Sequence, residues 1–242
     1  MCVAVTHCSP QHYLIHSYDE VSLAHLGLKA AHRYAVVAPA LPHAQHMPSH
    51  IFLALGMWDE EMESNRRAMA AALEQDRVFY RNVTQGGKDP ISEEFAHALS
   101  FLSFGLMQQA KDADAKALLD EMVIDKKGKK YAITDETVAN ALTSIAIRYS
   151  IERNRWEELE RFELMPSYFP WSNYTWTNLF KHYARTMSFL QRGLIAQAKE
   201  QLANRLQPAW QAWHSSAQYS MEMEDWRSPL VRMLPSRPSP CC

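Results

Sequence analysis

An internal repeat of 34 residues limits the fold of this chain more than any other feature. Shifting the sequence by that interval superimposes four pairs of positions: His12 on His46, His16 on His50, Tyr18 on Phe52, and Ala35 on Met69. A repeat of this length is typical of architectures in which each repeat is one supersecondary unit that buries its apolar face against its neighbours. The composition favours helix, because Ala, Leu, Met, Gln and Glu are plentiful and only 7 glycines occur. We therefore expect stacked pairs of helices.

Residues 49–72 contain one complete helical pair. Ile51, Phe52 and Leu55 recur at helical spacing, and a second amphipathic segment follows them. Gly56 is suited to end the first helix, and Asp59 places a negative charge in the first turn of the second. This segment predicts a helix–turn–helix unit with its turn at Gly56.

Three weaker copies of this unit follow, at 97–122, 141–162 and 180–206. Their turns are predicted at Ala110, Asn154 and Gly193, and the wider intervals between turns predict insertions at about 76–93, 123–136 and 164–176. We expect an all-α fold, a right-handed α-α superhelix of about five helical hairpins. The expected repeat domain spans 1–228, with a Pro/Ser-rich tail at 229–242. Within it, we place repeats at about 8–39, 42–73, 95–122, 139–163 and 178–208, followed by a cap helix.

The helix–turn–helix pattern resembles the tetratricopeptide repeat. Residues 11–72, with the stretch "PHAQHMPSHIFLALGMW" at 42–58, are similar to bacterial tetratricopeptide-repeat proteins of largely uncharacterised function; residues 95–122 match them more loosely. The resemblance implies a solenoid whose first helices line a concave groove, here bearing histidines, and it brings no reaction with it. Such proteins usually carry further repeats upstream, which leaves open whether this chain is a fragment.

Histidines cluster on the faces of the predicted first helices. At 100° per residue, Cys8, His12, His16 and Asp19 fall within an arc of about 80°, and His43, His46 and His50 within about 60°. His97 begins the first helix of the third copy, in the register of His43. The predicted groove residues are therefore His12, His16, Asp19, His43, His46, His50 and His97, with Cys8 as a further candidate.

Three roles are open for this surface. The histidines could be packed structural residues, they could line a groove for a peptide, a protein or a small anionic ligand, or they could bind a metal. Two imidazoles at i and i+4 on a helix can bind one ion, and nitrogen-rich ligation suits zinc or another divalent transition metal; the predicted ligands are His12, His16, His46 and His50. Pro48, between the last two, either disturbs that spacing or begins a new helical turn.

A binding scaffold is the function that the sequence favours, and a metal-binding protein or metal-dependent enzyme is the alternative. No catalytic residue is predicted, because the chain has no "HExxH" motif, phosphate loop or dinucleotide fingerprint, and Ser49 beside the histidines has no nucleophile turn.

Charge and cysteine usage bear on the chain's surroundings. A net charge of −2 argues against a nucleic-acid partner. No apolar run approaches the roughly 18 residues that a membrane-spanning helix needs. The four cysteines lie at the chain ends, which favours free thiols in a reducing, cytoplasmic setting over a disulfide framework.

Overall fold

The protein is mostly helical in a computed structural model that describes residues 10–80, 89–123, 131–133, 135–174, 177–208 and 210–211. The helices are α1 (Pro10–Tyr18), α2 (Ala24–Val37), α3 (Pro42–His46), α4 (Pro48–Ala54), α5 (Trp58–Phe79), α6 (Glu93–Gln108), α7 (Asp112–Val123), α8 (Glu136–Glu152), α9 (Trp156–Glu160), α10 (Asn178–Gln191) and α11 (Ile195–Gln201). A 3₁₀ turn at Trp171–Asn173 and a π-helical segment at Leu202–Leu206 complete the helical elements among these residues. The prediction of a helical fold is confirmed at this level.

Two short strands interrupt the helices of the described chain. β1 (Asp89–Ile91) and β2 (Tyr131–Ile133) pair in parallel, with Pro90 opposite Ala132. Both lie in segments that we predicted as insertions, 76–93 and 123–136, and α5 also extends to Phe79 within the first of them. The reason is apolar burial, because Ile91 and Tyr131 are buried and the Tyr131 ring lies 5.6 Å from Phe95. A three-residue strand is too short to leave a periodic pattern in the sequence.

Four turns between consecutive helices lie at the residues that the sequence predicts. Gly56, Ala110, Asn154 and Gly193 all have left-handed backbone, with φ of 70°, 55°, 54° and 72°. After α4 the amide of Met57 donates to the carbonyl of Phe52 at 2.8 Å, and the amide of Gly56 to that of Leu53 at 3.1 Å. This pair of bonds is the Schellman motif, and the turns at Ala110 and Gly193 repeat it.

The chain divides into two compact units, residues 1–153 with 165–169, and residues 154–164 with 170–242. In the second unit α9 and α10 pack together, and the hydroxyl of Ser188 donates to the carbonyl of Trp156 at 2.5 Å. The predicted repeat at 139–163 therefore contributes α8 to the first unit and α9 to the second. The predicted cap helix and the tail at 229–242 lie outside the described residues.

Apolar packing in the first unit brings α1 to α4 together. Ile15 of α1, Tyr34 of α2, Met47 between α3 and α4, and Ile51 of α4 are buried in one cluster. A second cluster, which includes Met62 and Leu102, joins α5 to α6. These two clusters hold α1, α3, α4 and α6, the four elements that carry the predicted site histidines. Among the described helices, none has both the length and the apolar character needed to cross a membrane.

Candidate metal centre

Three histidines from α1 and α3 converge on one point, and we call them triad 1: His12, His16 and His43. The Nε2 atom of His12 lies 3.0 Å from that of His16 and 3.0 Å from that of His43. A ligand atom from each of the three lies within 4.8 Å of the other two. His12 is buried, His43 is half-buried and His16 is exposed, so the triad reaches from the interior to the surface.

A single linear hydrogen bond does not account for both contacts at His12. A ring nitrogen of histidine carries either one proton or one lone pair, and so it makes one in-plane hydrogen bond. The Nε2 atom of His12 is at hydrogen-bonding distance from two other ring nitrogens. A cation at the common point would interact with all three lone pairs at once.

A second set, triad 2, consists of His46, His50 and His97 from α3, α4 and α6. The Nε2 atoms of His46 and His50 lie 3.0 Å apart, and the ring of His97 lies 4.4 Å from that of His46. Ligand atoms of these three residues also lie within 4.8 Å of one another. The fold therefore places two clusters of three histidine ligand atoms in one compact unit.

Pro48 leaves the spacing of His46 and His50 intact. It occupies the first position of α4, where its missing amide hydrogen is not needed. Met47, between the two helices, keeps helical backbone with φ −50° and ψ −38°. Because the backbone continues along the helical path, the two imidazoles remain one turn apart.

Asn65 of α5 determines which nitrogen of His46 carries the proton. Its amide Nδ2 donates to the backbone carbonyl of Glu61 at 2.9 Å, and a carbonyl can only accept, so the orientation of the Asn65 amide is determined. The Oδ1 atom then faces His46, whose Nδ1 donates to it at 2.7 Å. In the neutral ring the Nε2 atom of His46 consequently holds a lone pair that faces the other members of triad 2.

Burial keeps His46 neutral. Desolvation, followed by the neighbouring His97 and His50, lowers the pKa of His46 well below its ordinary value of 6.5, and the hydrogen bond to Asn65 only partly offsets this. The residue is 2% exposed. A metal ligand must be deprotonated, and His46 meets that requirement at neutral pH.

Carboxylates lie on the Nδ1 side of two further rings. The Nδ1 atom of His50 donates to Oδ2 of Asp19 at 3.0 Å, and Nδ1 of His43 lies 3.9 Å from Oε2 of Glu94. An outer carboxylate or amide of this kind typically fixes the tautomer and orientation of a metal-bound histidine. With Asn65 behind His46, both triads contain rings whose Nδ1 faces an oxygen and whose Nε2 faces the cluster.

Phe101 of α6 forms an apolar side of triad 2. The centre of its ring lies 4.7 Å from His46, 5.0 Å from His50 and 5.3 Å from His97. An apolar neighbour limits the access of water on that side and strengthens electrostatic interactions within the cluster.

All seven predicted groove residues contribute to this region. His12, His16, His43, His46, His50 and His97 form the two triads, and Asp19 binds His50 from just beyond the end of α1. The four residues predicted as metal ligands, His12, His16, His46 and His50, are divided between the triads. His97 lies one turn inside α6, which begins at Glu93. Cys8 lies outside the described residues.

The sequence reasoning did not identify Asn65, Glu61 and Glu94. Asn65 and Glu61 are fully buried on α5, and the Oε1 atom of Glu61 accepts from Asn65 at 2.8 Å. Both lie in the polar run "DEEMESN", which reads as an exposed helix face. Their spacing of four residues was the one available signal, because it places them on the same face of the helix.

Comparison with known proteins gives no relative from which a function could be transferred, since no protein-family model, no curated protein and no solved structure matches this chain.

Proposed function

We propose that this protein binds transition-metal ions, one in each histidine triad, on a scaffold of tetratricopeptide-like helical hairpins. One observation carries the proposal: in each of two clusters, three imidazoles direct their ligand atoms to within 4.8 Å of one another. The sequence left structural packing, ligand binding and metal binding open, and the geometry of the triads favours the last.

The alternative of packed structural histidines accounts poorly for triad 2. His46 and His50 each donate from Nδ1 to an oxygen, so their Nε2 atoms, 3.0 Å apart, both hold lone pairs when the rings are neutral. A proton between them would relieve the repulsion of that pair alone. A cation with several coordination positions is shared by all three rings.

The ligand set indicates the class of metal. Six neutral imidazoles without a coordinating carboxylate suit zinc, copper or nickel and are poor ligands for magnesium or calcium. A tetrahedral zinc ion bound at about 2.0–2.1 Å holds its nitrogen ligands about 3.3–3.4 Å apart. The separations of 3.0 Å in the triads are slightly shorter than this.

Three protein ligands leave at least one coordination position open for water or another ligand. Triad 1 reaches the protein surface through His16, which is exposed. A small anionic ligand, one of the partners expected from the sequence, would suit the open coordination position through its negative charge. We assign no catalytic residue.

The pairing of consecutive helices supports the proposed scaffold of tetratricopeptide-like helical hairpins. Each of α4–α5, α6–α7 and α10–α11 is joined by a short turn with a Schellman motif, and α1 and α2 form a further packed pair. The 34-residue register places α1 and α4 at equivalent positions of consecutive pairs, as in a tetratricopeptide array.

Elemental analysis of untagged protein, prepared without chelator, tests the metal proposal. We expect two equivalents of zinc, copper or nickel per chain in the wild type, about one in His43→Ala or His97→Ala, and almost none in the double variant His12→Ala with His46→Ala. His25→Ala is the matched control, since this histidine of α2 is exposed and belongs to neither triad. A metal-free wild type that also fails to take up added zinc, or a double variant with unchanged metal content, would contradict the proposal.

A further inference from the structure

The two triads share their supporting elements. α3 supplies His43 to triad 1 and, three residues later, His46 to triad 2. α1 supplies His16 to triad 1, and Asp19, three residues further on, binds His50 of triad 2. A spacing of three residues is about one helical turn, roughly 4.5 Å along the axis, so neither triad can move far from the other.

Two pairs of rings from different triads are about as far apart as His50 and His97 of triad 2, and farther apart than four other ring pairs within the triads, at 4.4–5.0 Å. The centres of His16 and His50 lie 6.2 Å apart, and those of His43 and His46 lie 6.5 Å apart. Within triad 2, the centres of His50 and His97 are separated by 6.4 Å. The two triads therefore approach each other through two ring pairs, His16 with His50 and His43 with His46.

We propose that the two ions form a single binuclear centre, bridged by one small anion that is hydroxide when no other ligand is present. This inference rests on the proposed metal binding and adds that the two sites act on one ligand. Metal pairs that share a bridging oxygen are typically about 3.5–4 Å apart.

The charge of the site favours a bridge. Two divalent ions bring four positive charges, and the six imidazoles bring no negative charge. Asp19 and Glu94 contribute at most two negative charges from outside the ligand set. An anion between the ions is attracted by both of them and screens their mutual repulsion.

Water can supply that anion at neutral pH. Coordination to a divalent ion weakens the O–H bond of a bound water, so one proton leaves to solvent and both electrons of that bond stay on oxygen. The hydroxide formed has enough lone pairs to bind both ions. Small anions such as azide would compete for the same bridging position.

Electron paramagnetic resonance of the copper(II)-loaded protein tests this inference, with bound copper counted independently by elemental analysis. For wild type with two copper ions bound, we expect an integrated spin well below two per chain and a half-field signal, because close or bridged copper(II) spins couple. Added azide should alter the spectrum of this species.

Single-triad variants provide the controls. His43→Ala and His97→Ala should each bind about one copper ion and give the full signal of one isolated copper(II), and His25→Ala should behave as wild type does. Circular dichroism of each variant confirms that it is folded.

Two bound copper ions with the integrated spin of two independent centres would overturn the inference and leave the proposed metal binding intact. Absence of stoichiometric copper from a folded wild type would overturn both. The two failures are thus distinguishable by the metal count alone.

Discussion

Glu61, beneath the second triad, allows a quantitative test of how α5 supports the site. The side chain is fully buried, its Oε1 atom accepts from Asn65, and a Cβ atom placed on Gly105 would collide with its Oε2 atom. Burial raises the pKa of Glu61 from 4.5 to about 8, and the hydrogen bond from Asn65 and the nearby Arg66 offset only part of that rise. The folded protein therefore holds this carboxyl in its protonated form at neutral pH.

The raised pKa makes stability depend on pH. Between about pH 4.5 and 8 the unfolded chain releases the Glu61 proton while the folded chain keeps it, so the free energy of unfolding falls as pH rises. Above about pH 8 both states are ionised and the loss is complete. Each pH unit across that interval corresponds to about 1.4 kcal/mol, which amounts to a loss of about 5 kcal/mol in all.

Glu61→Gln should remove this dependence. The variant keeps an Oε1 acceptor for Asn65 and cannot ionise, although its amide nitrogen occupies the position of Oε2, which has no hydrogen-bond partner in the wild type. Burying that amide nitrogen without a hydrogen-bond partner lowers the free energy of unfolding by about 1–3 kcal/mol, independently of pH. The difference in stability, variant minus wild type, should therefore rise by several kcal/mol from pH 5 to pH 9.

Urea unfolding of metal-free protein, followed by circular dichroism at several pH values, measures this difference. Amide hydrogen exchange of α5 reports it locally, within the first compact unit. Glu63→Gln is the matched control, because Glu63 is exposed on the same helix and pairs with Arg67. If wild type and Glu61→Gln lose stability in parallel from pH 5 to pH 9, the assignment of a buried neutral carboxyl is refuted.

Three further substitutions have defined outcomes. Asp19→Ala should weaken metal binding at triad 2 by about 10–100-fold, because His50 loses its outer carboxylate. Competition with a chromophoric chelator measures the affinity, and equal weakening at both triads would contradict the prediction. Gly56→Ala should destabilise the protein by about 1 kcal/mol in urea unfolding, because a side chain is disfavoured at its φ of 70°; an unchanged midpoint would count against the turn. Gly105→Ala should also destabilise it, since the new Cβ atom would displace the buried Glu61, and a melting temperature equal to that of wild type would disprove the close contact.

Local features of the fold were predictable because local sequence decides them. A helix ends where a residue takes up left-handed backbone, and Gly56 and Gly193 do so at little cost. The positions of Ala110 and Asn154 followed from the repeat pattern around them. The strand pair β1–β2 was missed, because its residues meet only across some 40 positions of chain.

The site was predictable in part for the same reason. Helical periodicity places His12 beside His16 and His46 beside His50, whatever surrounds them. It does not say which third residue completes each group. His43 joins triad 1 and His97 joins triad 2 because of how α3 packs against its neighbours, which periodicity along one helix cannot reveal.

The sequence by itself determined a helical chain, the positions of four turns and two histidine pairs on helix faces, since each depends on residues within a few turns of one another. Only the tertiary structure decided the division of six histidines into two triads, the partners of their Nδ1 atoms and the burial of Glu61. These features arise where α1, α3, α4, α5 and α6 come together, and burial and electrostatics at such a junction depend on every element present.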